Sequence, residues 1–77
     1  MYVVVGVKDG RPEVISTHVF VHFDVACRRL DDVAHELESD SDSSMYAVVR
    51  VNDRLLRVYY GDSSRIDRYW VARIAGY

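Results

Sequence analysis

Seventy-seven residues with a net charge of −2 allow one small core and exclude a second domain. An apolar content of 49% with four Gly and one Pro excludes a disordered chain, and the single cysteine, Cys27, excludes an internal disulfide. No apolar run reaches the ~18–20 residues of a membrane-spanning helix.

The chain opens on Met1-Tyr2-Val3-Val4-Val5-Gly6-Val7-Lys8, which lacks the basic start of a signal peptide and reads as a strand. The initiator Met leads us to expect a complete small protein, and the lone thiol fits a cytosol-like compartment. Residues 2–7 and 13–23 are rich in Val, Ile, Thr and Phe around the turn signal Asp9-Gly10, which predicts a β-hairpin. Valine on both sides of the first strand predicts a central strand buried on both faces. On the second strand, Ile15, Val19, Val21 and Phe23 would share one side, and Val14, Ser16, His18, Phe20 and His22 the other.

At Asp24 the period changes. Ala26, Leu30, Val33, Ala34 and Leu37 follow helical spacing, which predicts an amphipathic helix over 25–38 with Asp24 as its N-cap. Its outward side carries Arg28, Asp31, Asp32, His35 and Glu38, and its acidic C-terminal end opposes the helix dipole, so packing must hold it. A polar linker follows at 39–44.

Strands are next expected at 45–51 and 54–60, turned by Asn52-Asp53. That two-residue hairpin pairs Val49 with Leu56 and Ala47 with Val58. It also sets Tyr46 opposite Tyr59, Val48 opposite Arg57 and Arg50 opposite Leu55. A last strand over about 68–75 places Trp70, Ala72 and Ile74 on one side and Tyr69, Val71 and Arg73 on the other. The expected fold is α+β, in the order β-β-α-β-β-β, with one helix on an antiparallel sheet. Its core should join Val49, Leu56, Val58 and Trp70 to Leu30, Val33 and Leu37. One helix covers only two or three strands, so much of the sheet should stay open.

Two surfaces are candidates for binding. The first is the Arg/Tyr face of this register: Tyr46, Arg50, Arg57, Tyr59, Tyr69 and Arg73, extended by His18, Phe20 and His22. Tyr and Arg are enriched at protein-interface hot spots, and rings beside guanidiniums also stack bases and neutralise phosphates. The plainer alternative is that Arg stems and Tyr rings cover a solvated sheet. The second is the acidic set Asp31, Asp32, Glu36, Glu38, Asp40 and Asp42, set against a plain solvated helix face. Residues 24–42 carry a net −5 and residues 45–77 a net +3, so the chain is polarised.

Other chemistry finds little support. Asp40-Ser41-Asp42 starts like a calcium loop, but Met45 and Val51 stand where such a loop needs Gly and Glu. His18 and His22 would lie ~13 Å apart along a strand, too far to share a metal. Cys27 near the helix start flanks the apolar stripe, and a core role fits it better than a catalytic one. No phosphate-binding glycine motif and no cofactor site is present, and we expect no enzyme activity.

In size and architecture the chain resembles small proteins encoded by phages and mobile elements. Many of those bind a host complex and block it, anti-CRISPR and anti-restriction inhibitors among them. The resemblance covers the outline of the chain and rests on no motif. It implies a non-catalytic, protein-binding module, with a small nucleic-acid-binding protein as the alternative. Self-association into a homodimer is expected until a partner covers Tyr46, Val48, Leu55, Tyr59, Tyr69 and Val71.

Overall fold

The computed structural model describes residues 1–15, 19–61 and 63–74. Among them are five strands and one α-helix: β1 (Tyr2–Lys8), β2 (Arg11–Val14), α1 (Phe23–Ser39), β3 (Tyr46–Asn52), β4 (Leu55–Tyr60) and β5 (Ile66–Arg73), with a 3-10 turn at Ser43–Met45. The sheet order is β2-β1-β5-β4-β3, with every neighbour antiparallel. The expected α+β architecture is therefore present, and the first and last strands pair at its centre. No helix among the described residues is long and apolar enough to cross a membrane.

Asp9 and Gly10 both adopt positive φ, 52° and 78°, as a type I′ turn requires, and Lys8 faces Arg11. The second strand is shorter than its composition suggests and ends at Val14. The chain returns to the sheet at Phe20, which exchanges two backbone hydrogen bonds with Tyr2. Residues 16–18 of the expected strand, His18 among them, and residue 75 of the expected last strand lie outside the described residues.

Helix α1 starts two residues before its expected position. His22 is its N-cap, without a side-chain capping bond, and Asp24 sits in the first turn, 4.0 Å from Arg28. No basic residue offsets the dipole in the last turn. Packing supplies the compensation: Ala26, Leu30 and Val33 are buried against Val4, Leu56, Val58, Tyr69 and Val71. Ala34 and Leu37 complete the expected stripe at its margin.

The register of the second hairpin differs from expectation, and the difference exchanges the faces of β3. The turn is Asp53-Arg54, one residue further along, because Asn52 Oδ1 accepts a hydrogen bond from the Arg54 N–H and caps it. A bulge at Val51 then takes up one residue. Together these set Tyr46 opposite Tyr60, Val48 opposite Val58 and Arg50 opposite Leu56. Tyr46, Val48 and Arg50 therefore lie under the helix with Leu56 and Val58, and Val49 is exposed on the other side. On β5, too, Tyr69 and Val71 enter the core, while Trp70 points away from it. The expected core loses Val49 and Trp70 and keeps Leu56, Val58, Leu30, Val33 and, half-buried, Leu37. Strand β1 is central, as expected, but only its Val4 side is sealed.

Candidate functional site

The residues expected to form one Arg/Tyr face are divided by the sheet. Tyr46, Arg50 and Tyr69 lie on the helix-covered side, where the polar atoms of Tyr46 and Arg50 have structural work. The Tyr46 hydroxyl donates to the Leu37 carbonyl near the end of α1. Arg50 Nη2 donates to the Asp53 carbonyl at 2.6 Å. Arg50 Nη1 lies 3.1 Å from Asp31 Oδ1, an ion pair by distance, yet no N–H of this buried nitrogen aims well enough for a hydrogen bond. Burial pushes the Tyr69 hydroxyl up to about 12. Arg73 is exposed at the end of β5, and Phe20 and His22 belong to the helix approach, so neither extends a shared patch.

Arg57 and Tyr59 remain on the uncovered side, and the structure adds other neighbours to them. Alternation places Val3, Val5 and Val7 of β1 on this face, with Ala47 and Val49 of β3, Leu55 of β4, and Ile66, Arg68, Trp70 and Ala72 of β5. Cross-strand pairs fix its layout: Val5 beside Trp70 beside Leu55, then Val7 beside Arg68 beside Arg57 beside Val49, then Ile66 beside Tyr59 beside Ala47. Among the described strand residues this face carries no carboxylate. Arg57 and Arg68 are directly opposed, and neither has an acid within ion-pair distance among the described residues. Both line a depression shared with Tyr59, Ile66 and Ser64.

The acidic residues lie on the other layer. Asp31 and Glu36 are held internally by Arg50 and Arg29, each at 3.1 Å. Asp40 Oδ1 accepts the Asp42 N–H and so closes the turn after the helix. Asp32 and Glu38 are exposed, with no ion pair among the described residues. The acidic set and the uncovered face thus point in opposite directions.

Two concave places on the helix side serve structure. One cleft is lined by Lys8, Tyr46, Tyr60, Arg65 and Asp67 beneath the end of α1. Asp67, 1% exposed, accepts four hydrogen bonds there: from the Asp9 N–H, the Tyr60 hydroxyl, and Arg65 Nε and Nη2, at 2.9–3.0 Å. Burial alone would raise its pKa, but these donors outweigh it and hold the carboxyl below the usual range. The Arg65 guanidinium also stacks 4.4 Å above the Tyr60 ring. The other hollow holds Cys27 beside Arg50 and Asp53. Burial pushes this thiol up, the opposite of what a nucleophile needs.

Sequence reasoning missed Trp70, Arg68 and the valines of β1 as surface residues. The available signal was β1 itself, apolar on both alternating sets although only one helix exists to cover them. No family model, curated protein or solved structure matches this chain.

Proposed function

We propose that this chain is a non-catalytic protein-binding module whose contact surface is the uncovered face of its sheet. One observation carries the proposal: an aliphatic and aromatic face, without a carboxylate among the described strand residues, lies open although it spans four strands. At ~4.8 Å between strands and ~3.3 Å per residue, that face measures roughly 19 by 20 Å. Its flat footprint of about 400 Å² is within the ~300–600 Å² range of largest patches on monomers, which often mark contact sites. Trp70, Tyr59, Arg57 and Arg68 are the residue types that dominate interface hot spots, here set within aliphatic surroundings. Binding would act by stoichiometric cover of the partner, as in the small phage and mobile-element inhibitors that this chain resembles in outline.

The test is affinity capture from the organism that encodes the chain, using wild type, Val5→Asp and Asp32→Arg. Val5→Asp puts a charge in the middle of the sheet face, and Asp32→Arg alters the outer helix. Recovery of one stoichiometric protein, lost with Val5→Asp and kept with Asp32→Arg, is the expected result. Loss with Asp32→Arg alone would transfer the contact to the helix. The second reading, a nucleic-acid-binding sheet, draws on the rings of Tyr59 and Trp70 flanking two arginines. Nuclease-sensitive recovery would favour it.

A further inference from the structure

Resting on the docking role just proposed, we infer that the partner is an acidic protein segment, and that one of its carboxylates seats between Arg57 and Arg68. Like charges directly opposite each other on neighbouring strands destabilise a sheet, yet β4 and β5 place two arginines in that relation near the middle of the face. Several cations elsewhere in the fold meet acids: Arg50 meets Asp31, Arg29 meets Glu36, Arg65 meets Asp67 and Lys8 meets Glu13. Arg57 and Arg68 have no such acid among the described residues, and they line a depression rather than a ridge.

A carboxylate entering that depression would meet two guanidinium forks, with the Tyr59 and Ser64 hydroxyls at its margin. Its neutralisation of the Arg–Arg repulsion would be an additional gain, made only in the complex. On either side along the strands, one row away at ~6.6 Å, stand Trp70 with Leu55 and Ile66 with Tyr59. The complementary segment therefore carries an Asp or Glu flanked by large apolar residues.

Two other occupants fit less well. A second copy docked face to face would bring four arginines together with no acid from the described strand residues of either sheet face. A polynucleotide presents a phosphate at every step, whereas this face has two cations and is otherwise mainly aliphatic. Acids on the helix layer add to the mismatch.

The experiment is selection of a displayed random dodecapeptide library on the wild-type protein, followed by titration of the enriched peptides at low and high salt. Enrichment of Asp or Glu beside Leu, Ile, Phe or Trp is expected, with amide shifts at Val7, Arg57 and Arg68. Arg68→Glu, which supplies Arg57 with a carboxylate from within, should weaken those peptides at least tenfold while leaving the fold intact by circular dichroism. Neutral or basic peptides that bind this same face, or acidic ones indifferent to Arg68→Glu, would overturn the acidic partner and leave the docking face standing. Binders that map to the helix layer, or an empty selection, would overturn the docking face itself. Tighter binding of a mixed single-stranded oligonucleotide pool would replace the acidic segment by nucleic acid. A salt-resistant dimer in sedimentation, lost with Val5→Asp, would replace it by a second copy.

Discussion

Beneath the helix, Asp67 and Arg50 each have an opposite charge within about 3 Å, while on the uncovered face Arg57 and Arg68 oppose one another with no acid in ion-pair reach among the described residues. The same sheet thus carries one electrostatically closed layer and one open layer. Closure is needed where water is excluded, since an unpaired buried charge costs far more than an exposed one. The open layer keeps its arginines hydrated, so the arrangement is tolerable there. It also leaves them free for a partner's groups. Substitutions on the two layers should therefore differ in size and, at one place, in sign.

The largest effect belongs to the fully buried Leu30. Leu30→Ala should cost ~2–5 kcal/mol by leaving a cavity between helix and sheet, and the half-buried Leu37 should cost less. Val49→Ala, on the open face, should stay within about 0.5 kcal/mol. Chemical denaturation of the three variants checks the bulged register directly. A Val49→Ala loss equal to that of Leu30→Ala would restore the unbulged one.

Next comes Asp67. Asp67→Ala should cost about 3 kcal/mol, the low end for breaking a buried pair, because Arg65 is partly exposed and turns to water. It also strands the Asp9 N–H and the Tyr60 hydroxyl. The sign with pH follows from the depressed carboxyl: its contribution is present above the unfolded value near ~3.9 and is lost as pH falls through the lower folded value. Wild type should therefore lose stability below about pH 4, and Asp67→Ala should show a shallower acid limb. Matching acid limbs in the two proteins would remove Asp67 from this role.

Gly6 tests a close approach across the centre of the sheet. A Cβ there would lie 2.8 Å from Tyr69 Cδ1 and 3.1 Å from Ile15 Cδ1. Gly6→Ala should cost ~1–3 kcal/mol through overpacking, and Tyr69→Leu in the same chain should recover part of it. Tyr69 also contributes to the alkaline limit, beside Tyr46 and Tyr60, whose pKa values burial raises too. Its pKa, about 12 when folded against ~10 unfolded, gives stability that is complete below pH ~10 and is lost as pH rises toward 12. In Tyr69→Phe that alkaline loss should diminish, as thermal melts between pH 9 and 11.5 would show.

What was legible in the sequence is what depends on near neighbours. Asp9-Gly10 specifies its turn because both residues tolerate positive φ, and the Ala26–Leu37 stripe specifies its buried side by spacing alone. The faces of β3 were not legible, because Val51 looks like any strand valine and its bulge depends on how Asn52 caps Arg54. One residue of slip exchanged every side chain of that strand. Asp67 reads as a surface acid until Tyr60 and Arg65 at the β4–β5 connection and Asp9 in the β1–β2 turn are brought to it. The candidate site suffered most: of its six Arg/Tyr residues, Arg57 and Tyr59 alone remained on the uncovered face.

The smallest effect is the one whose sign reverses. Arg68→Glu replaces a directly opposed like-charge pair with an attractive one and should stabilise the free protein by about 0.2–1 kcal/mol. Salt should erode the gain, because both side chains can reach water and the interaction is screened over ~10 Å at 0.1 M. Arg57→Glu should give a similar gain, while the double substitution recreates repulsion and returns the stability toward wild type. Such a cycle isolates the pair from any general change in net charge, since the double variant carries the largest charge change of the three. Denaturation midpoints at low and high salt read it out. A loss of stability in both single variants would mean that the two guanidiniums already share a counter-charge in the free protein, and that the uncovered face is electrostatically as closed as the covered one.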